Sequence, residues 1–154
     1  MPCCAIRKAP LIGLLHSDSG DPPDVPVQSG VFFWAELLAS NPDAAARFYS
    51  SLAGYSVDSA DTRVGPQLLL SASGFNRAGI MMLPPSVKQS GWLPFVQVDD
   101  LPSALSRVAA SGGKLLVEPR AELLGGRLAV IADPRGGVLG LADWNGAVLH
   151  GDRK

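Results

Sequence analysis

One pattern occurs twice in this chain, 59 residues apart. Asn41-Pro42-Asp43-Ala44-Ala45-Ala46-Arg47-Phe48-Tyr49 runs on to Gly54, and Asp100-Leu101-Pro102-Ser103-Ala104-Leu105-Ser106-Arg107-Val108 runs on to Gly113. Each copy follows an apolar strand-like run, residues 32–38 and 93–98, and leads to a Gly-led apolar stretch, residues 79–83 and 137–141. A repeat of this length is one supersecondary unit used twice. Two such units can close around a shared concave surface, where a binding pocket would sit.

The local signals agree between the copies. Asn41 and Asp100 are good helix N-caps, and Pro42 suits the first helical position. Ala45, Phe48, Tyr49 and Leu52 form one apolar stripe at helical spacing; Leu101, Ala104, Leu105 and Val108 form the other. Gly54 and Gly113 are expected to end these helices. Strands are expected at 55–58, 67–72 and 79–83 in the first copy and at 114–117, 127–131 and 138–141 in the second, set off by Gly, Pro, Asp and Asn. The reading is strand–helix–three strands, twice, in a mixed α+β fold. Module one covers about 31–85 and module two about 91–145, within one domain spanning 31–146. Residues 1–30 read as a flexible arm and 147–154 as a tail. Trp144 is expected to dock.

A formal net charge of −1 offers no electrostatic footprint for nucleic acid or an anionic membrane. No run is long enough to span a bilayer as a helix. The two cysteines, Cys3 and Cys4, are adjacent and make no disulfide framework, which favours a reducing, cytoplasmic setting. The apolar run 11–15 is short for a secretory signal, and its basic pair Arg7-Lys8 does not open the chain.

The layout, with Phe48-Tyr49-x-x-Leu52-x-Gly54-Tyr55 and Ala132-Asp133-Pro134-x-Gly136-Gly137, resembles the glyoxalase / bleomycin-resistance / extradiol-dioxygenase superfamily, also called vicinal oxygen chelate. The resemblance covers roughly residues 31–145. It implies two βαβββ modules whose eight strands curl into an incomplete barrel around a cavity. Many members are homodimers, so a homodimer is implied as well. Enzymes of the superfamily hold a divalent metal through His, Glu or Gln on the first and last strands of each module. The matching positions here are Trp34 and Leu93 on the first strands, and Met81 or Met82 and Gly140 on the last. None supplies a usual hard-cation donor. The chain's two histidines, His16 and His150, lie in the arm and the tail. The expectation is no metal, no cofactor and no assigned catalytic residue.

Alternate residues of a strand share a face. With Trp34 turned inward, Glu36 and Leu38 follow it; with Leu93 inward, Phe95 and Gln97 follow. The expected ligand-binding set is Trp34, Glu36, Met82, Leu93, Phe95 and Gln97, an aromatic and thioether-rich hollow with two polar groups. Such a surface suits a flat or greasy small molecule, and a carboxylate beside an indole favours a cationic or hydrogen-bond-donating one. A bland role stands beside each: Glu36 solvated at an open mouth or paired with Arg63, Arg77 or Arg127, Gln97 satisfying neighbouring backbone, the methionines filling core, Arg127 pairing with Asp133. The leading function is metal-free binding of a small aromatic or cationic compound. The alternatives are a lyase or dioxygenase-type enzyme, metal-dependent or using Glu36 as base, and a non-catalytic module whose cavity is filled by its own side chains or by the arm.

Overall fold

The computed structural model describes residues 26–144 together with Gly13 and Asp18. The expectations for the rest of the arm, its cysteines and the tail fall outside the described residues. The element order is β1 (Phe32–Ala39), α1 (Pro42–Ala53), β2 (Ser56–Thr62), β3 (Gly65–Ala72), β4 (Phe75–Met82), β5 (Gly91–Gln97), α2 (Leu101–Ala110), β6 (Lys114–Val117), β7 (Leu128–Ala132) and β8 (Val138–Ala142). Each half is therefore βαβββ. The eight strands form one open sheet in the order β2-β3-β4-β1-β5-β8-β7-β6. β1 and β5 meet antiparallel at its centre and join the two modules. Within each module the last strand returns parallel to the first, β4 beside β1 and β8 beside β5.

The helices start where the sequence places them. The Asn41 side chain accepts a hydrogen bond from the Ala44 amide at 3.0 Å, and Asp100 accepts one from Ser103 at 3.0 Å. These caps satisfy amides that the first helical turn leaves without carbonyl partners. Gly54 closes α1 in the left-handed conformation, φ 70°, its N–H donating to the Ser50 carbonyl. α2 ends at Ala110, earlier than Gly113 suggests; Gly112 takes the positive φ of 77°. Gly113 is needed for a different reason: a Cβ there would press on Val108 and the Ala132 carbonyl.

β4 also differs from expectation. It begins at Phe75, because the reversal is made by Ser73 and Gly74, both at positive φ. Asn76 and Arg77 are strand residues, and Gly79, which looks like a strand start, lies inside the strand.

The sheet has two unlike faces. One carries α1 and α2. Under α1, Leu37, Ala39, Leu70, Ala78 and Ile80 pack with Ala46 and Tyr49; under α2, Val98, Ala129, Ile131 and Leu141 pack with Leu101 and Ala104. A clasp joins the modules on this side. Trp92 of β5 donates its indole N–H to the Tyr49 hydroxyl at 3.1 Å, with the rings edge to face at 5.2 Å. An edge-to-face pair of this kind contributes about 0.5–1.5 kcal/mol beyond area burial. Trp144 docks as expected: its ring stacks on Phe33 at 5.7 Å, and its backbone is held by Gln97.

On the other face, Phe95 is paired with Gly140 across β5 and β8, and its ring lies where a Cβ at position 140 would be. Gly140→Ala is expected to cost roughly 1–3 kcal/mol, because the added methyl forces the buried ring to move. Gly91→Ala, with open space around its Cβ, should stay within about 1 kcal/mol of wild type. Urea unfolding of both variants checks the contrast, and equal midpoints would contradict this packing.

Candidate functional site

The face opposite the helices is organised around Glu36. The pairings of β1 put Glu36 beside Gly79 on β4 and beside Leu93 on β5. Trp34 lies opposite Phe95, and Leu38 opposite Met81 and Gly91. β3 extends the face, with Gln67 opposite Met81 and Leu69 opposite Gly79. Side chains of paired residues project to the same side, so these residues form one surface.

Glu36 is buried, with 6% of its surface exposed. Its Oε2 accepts hydrogen bonds from Trp34 Nε1 at 2.9 Å and Gln67 Nε2 at 2.6 Å. Its Oε1 is buried and has no hydrogen-bond partner among the described residues. The carboxyl rests on Gly79, where a Cβ would collide with both its oxygens and with the Gln67 amide. Any larger residue at 79 would evict the acid. Burial raises the Glu36 pKa from 4.5 to about 7, against the lowering effect of the two donors. Desolvation wins because both donors are neutral.

The second module repeats this geometry with other chemistry. Phe95 corresponds to Glu36 in the repeat and lies over Gly140 as Glu36 lies over Gly79. One half thus offers an acid and the other a phenyl ring.

The expected site residues are distributed as follows. Trp34, Glu36, Leu93 and Phe95 come together at the β1–β5 seam. Gln97 is also on this side, but its amide is committed to backbone: it donates to the carbonyls of Val98 and Trp144 and accepts from the Trp144 N–H. It fastens the Trp144 segment to β5. Met82 pairs with Ala39, on the side of the α1 core, and is 59% exposed. The methionine on the Glu36 face is Met81, one residue earlier. Gln67 escaped the sequence reading altogether. Its side-chain direction depends on the register of β3 against β4, which no local spacing reports.

The arginine partnership weighed for Glu36 gives way to the two neutral donors. The Arg127–Asp133 pair is also replaced. Arg127 Nε donates to the Leu124 carbonyl, whereas Asp133 Oδ1 accepts from the amides of Arg135 and Gly137 and so organises its own turn. Backbone donation from Gly137 and Arg135 holds the Asp133 pKa below its ordinary value.

The donor set does not fit a superfamily-type divalent ion. The four positions that would carry ligands hold an indole, an alkyl chain, a thioether and a glycine. Among the described residues no three His, Cys, Asp or Glu side chains cluster. Glu36 is the single carboxylate of the seam, and Gln67 turns its NH₂ toward that carboxylate. Two open hollows, of about 330 and 380 Å³, lie on the helical side, along α2 and along α1. They are lined by other residues than the seam, and neither holds a buried charge.

A sequence model of the glyoxalase-like domain matches residues 34–142. A protein named as a candidate glyoxylase, CFP32 of Mycobacterium bovis, is 31% identical over 112 residues, which are 72% of this chain and 43% of that protein. Its Mycobacterium tuberculosis counterpart matches to the same extent. The chain thus spans less than half the length of these curated relatives. Among solved structures, hypothetical protein BH1468 from Bacillus halodurans superposes with a TM-score of 0.56 at 12% identity, covering 80% of this chain and 100% of that one. A methylmalonyl-CoA epimerase variant of Streptomyces coelicolor, solved with 2-nitronate-propionyl-CoA, gives 0.52 at 17% identity, covering 74% and 96%. At these identities the likeness shows the fold alone.

The raised Glu36 pKa ties stability to pH. The folded state holds this proton more tightly than the unfolded state does. Its stabilising effect is complete below about pH 4.5 and is lost as pH rises through about 7. The slope is about 1.4 kcal/mol per pH unit inside that window. Glu36→Gln keeps an oxygen for both donors and carries no charge. It should gain on wild type by up to roughly 3 kcal/mol between about pH 4.5 and pH 8. Urea unfolding of both proteins across this range checks it; a constant gap would mean that Glu36 does not titrate there.

Proposed function

The chain belongs to the glyoxalase-like domain family, and on that premise we propose that it binds a small aromatic or cationic compound against the sheet face opposite its helices, without a metal ion. The observation that carries this reading is Oε1 of Glu36, buried and without a hydrogen-bond partner among the described residues. A buried acceptor without a donor costs about 1–3 kcal/mol. A ligand N–H or O–H seated there would remove that cost and gain a charge-assisted hydrogen bond. Trp34, Leu93 and Phe95 surround the acid with flat and aliphatic surface, which favours a planar guest through stacking and dispersion. The structural relative solved with 2-nitronate-propionyl-CoA supports a small-molecule role for this fold, because that protein holds a compact acyl group and its CoA carrier.

One observation favours a second reading. A carboxyl whose pKa lies near 7 is half ionised at neutral pH and is suited to giving or taking a proton. In that reading Glu36 is the base of a metal-independent proton transfer, with Trp34 and Gln67 holding Oε2 while Oε1 meets the substrate. Glu36→Gln separates the two readings. It would abolish turnover in the second, while leaving stacking of a neutral guest intact in the first.

Trp34 is half-buried and touches Glu36, so its emission should respond to occupancy. A panel of planar cationic and neutral aromatic compounds, with bleomycin-type drugs included, is expected to contain at least one that quenches wild type and fails to quench Trp34→Phe. Glu36→Gln should weaken a donor-bearing guest about 10- to 100-fold. Silence across the whole panel, in both fluorescence and thermal unfolding, would refute the binding role.

A further inference from the structure

The two oxygens of Glu36 are not equivalent. Oε2 receives two donors, Trp34 Nε1 and Gln67 Nε2, as many as its two lone pairs accept. A proton on the acid therefore belongs on Oε1, which is buried against Gly79 and has no hydrogen-bond partner among the described residues. The carboxyl cannot exchange the two roles by rotating without breaking both hydrogen bonds and moving off the Gly79 floor. The fold presents a single atom that is a donor when Glu36 is protonated and an acceptor when it is ionised.

We propose that Oε1 of Glu36 is where this face exchanges a proton for a ligand: a flat guest carrying a cationic N–H group, an amidinium or a protonated amine on an aromatic ring, docks on Oε1 and displaces the acid proton to solvent. This rests on the reading of the Glu36 face as a ligand site and names the ligand class. The balance is simple. The Oε1–H bond breaks, its proton passes to water or buffer, the electron pair stays on Oε1, and a ligand N–H bonds to it without transfer. A protonated Glu36 turns a hydrogen toward the guest's own N–H, donor against donor, and rejects it.

The surroundings leave control with this one group. On β1 no other residue is ionisable. β5 faces Glu36 with Leu93 and Phe95, β3 with Gln67 and Leu69, and β4 with Gly79. Three charged residues sit at positions of the same sheet face; one of them, Lys114 on β6, lies at the far edge of the sheet, with β5, β8 and β7 between it and β1. Arg77 on β4 has its guanidinium over the Phe75 ring, 5.3 Å from its centre. Asp58, exposed on β2, is separated from Glu36 by β3 and β4. The shift of Glu36 to about 7 arises from burial, with Trp34 and Gln67 opposing it, and places the exchange near neutral pH.

Benzamidine is a suitable probe, since it is planar and stays cationic throughout the range. Calorimetric titration in two buffers of different ionisation enthalpy counts the protons released on binding. Wild type should release close to one proton at about pH 6 and close to none at about pH 8, with affinity about ten-fold weaker at the lower pH. Glu36→Gln should release none and show no pH dependence; Gln67→Leu, which removes a donor that lowers the Glu36 pKa, should move the proton release to higher pH while Trp34 still reports occupancy. Proton release equal in wild type and Glu36→Gln would overturn the proposal. So would benzamidine failing to bind at either pH. In that case naphthalene, a neutral arene with no donor, divides the outcomes: if it quenches Trp34, the binding role stands and the proton exchange falls; if it does not, both fall.

Discussion

A carboxyl group laid on a glycine inside a sheet is the constraint that the rest of this molecule accommodates. Removing a charged oxygen pair from water is expensive, and two neutral donors offset only part of it. The chain meets the cost in three ways. Gly79 leaves the space, Trp34 and Gln67 bind one oxygen, and the acid stays protonated to higher pH than a free glutamate. Each depends on a different strand, so the arrangement exists only once β1, β3 and β4 are in register.

The duplicated architecture makes the asymmetry legible. Both modules put a side chain from their first strand over a glycine of their parallel last strand. In module two the side chain is Phe95, and the seat is dry and needs no donors. In module one it is Glu36. The same backbone geometry thus carries apolar and acidic surface side by side across the β1–β5 seam. The helical face does the opposite work: its two cores and the Trp92–Tyr49 clasp hold the modules at a fixed angle, leaving the other face to chemistry.

The members of this seam all fall within the stretch that matches the glyoxalase-like domain, residues 34–142. The curated relatives extend well beyond the part they share with this chain. At the four symmetric positions where the resemblance implies metal ligands, this unit carries Trp34, Leu93, Met81 and Gly140, none of which is a usual donor to a hard cation.

Local spacing determined a great deal. The 59-residue repeat, the caps Asn41 and Asp100, the apolar stripes of both helices and the alternation of β1 and β5 are properties of neighbours along the chain. They yielded the element order and the two-module fold, and they grouped Trp34 with Glu36 and Leu93 with Phe95. The sheet decided the rest. Gln67 reaches Glu36 from 31 residues away, Met81 replaces Met82, Gln97 turns to the Trp144 backbone, and Gly79 becomes a floor instead of a strand start. A strand's period of two says which residues go together, but the partner register says which side they take, and a slip of one residue reverses it. That register is fixed by contacts distant in sequence, so only the folded sheet could place the acid's second donor and leave its other oxygen bare.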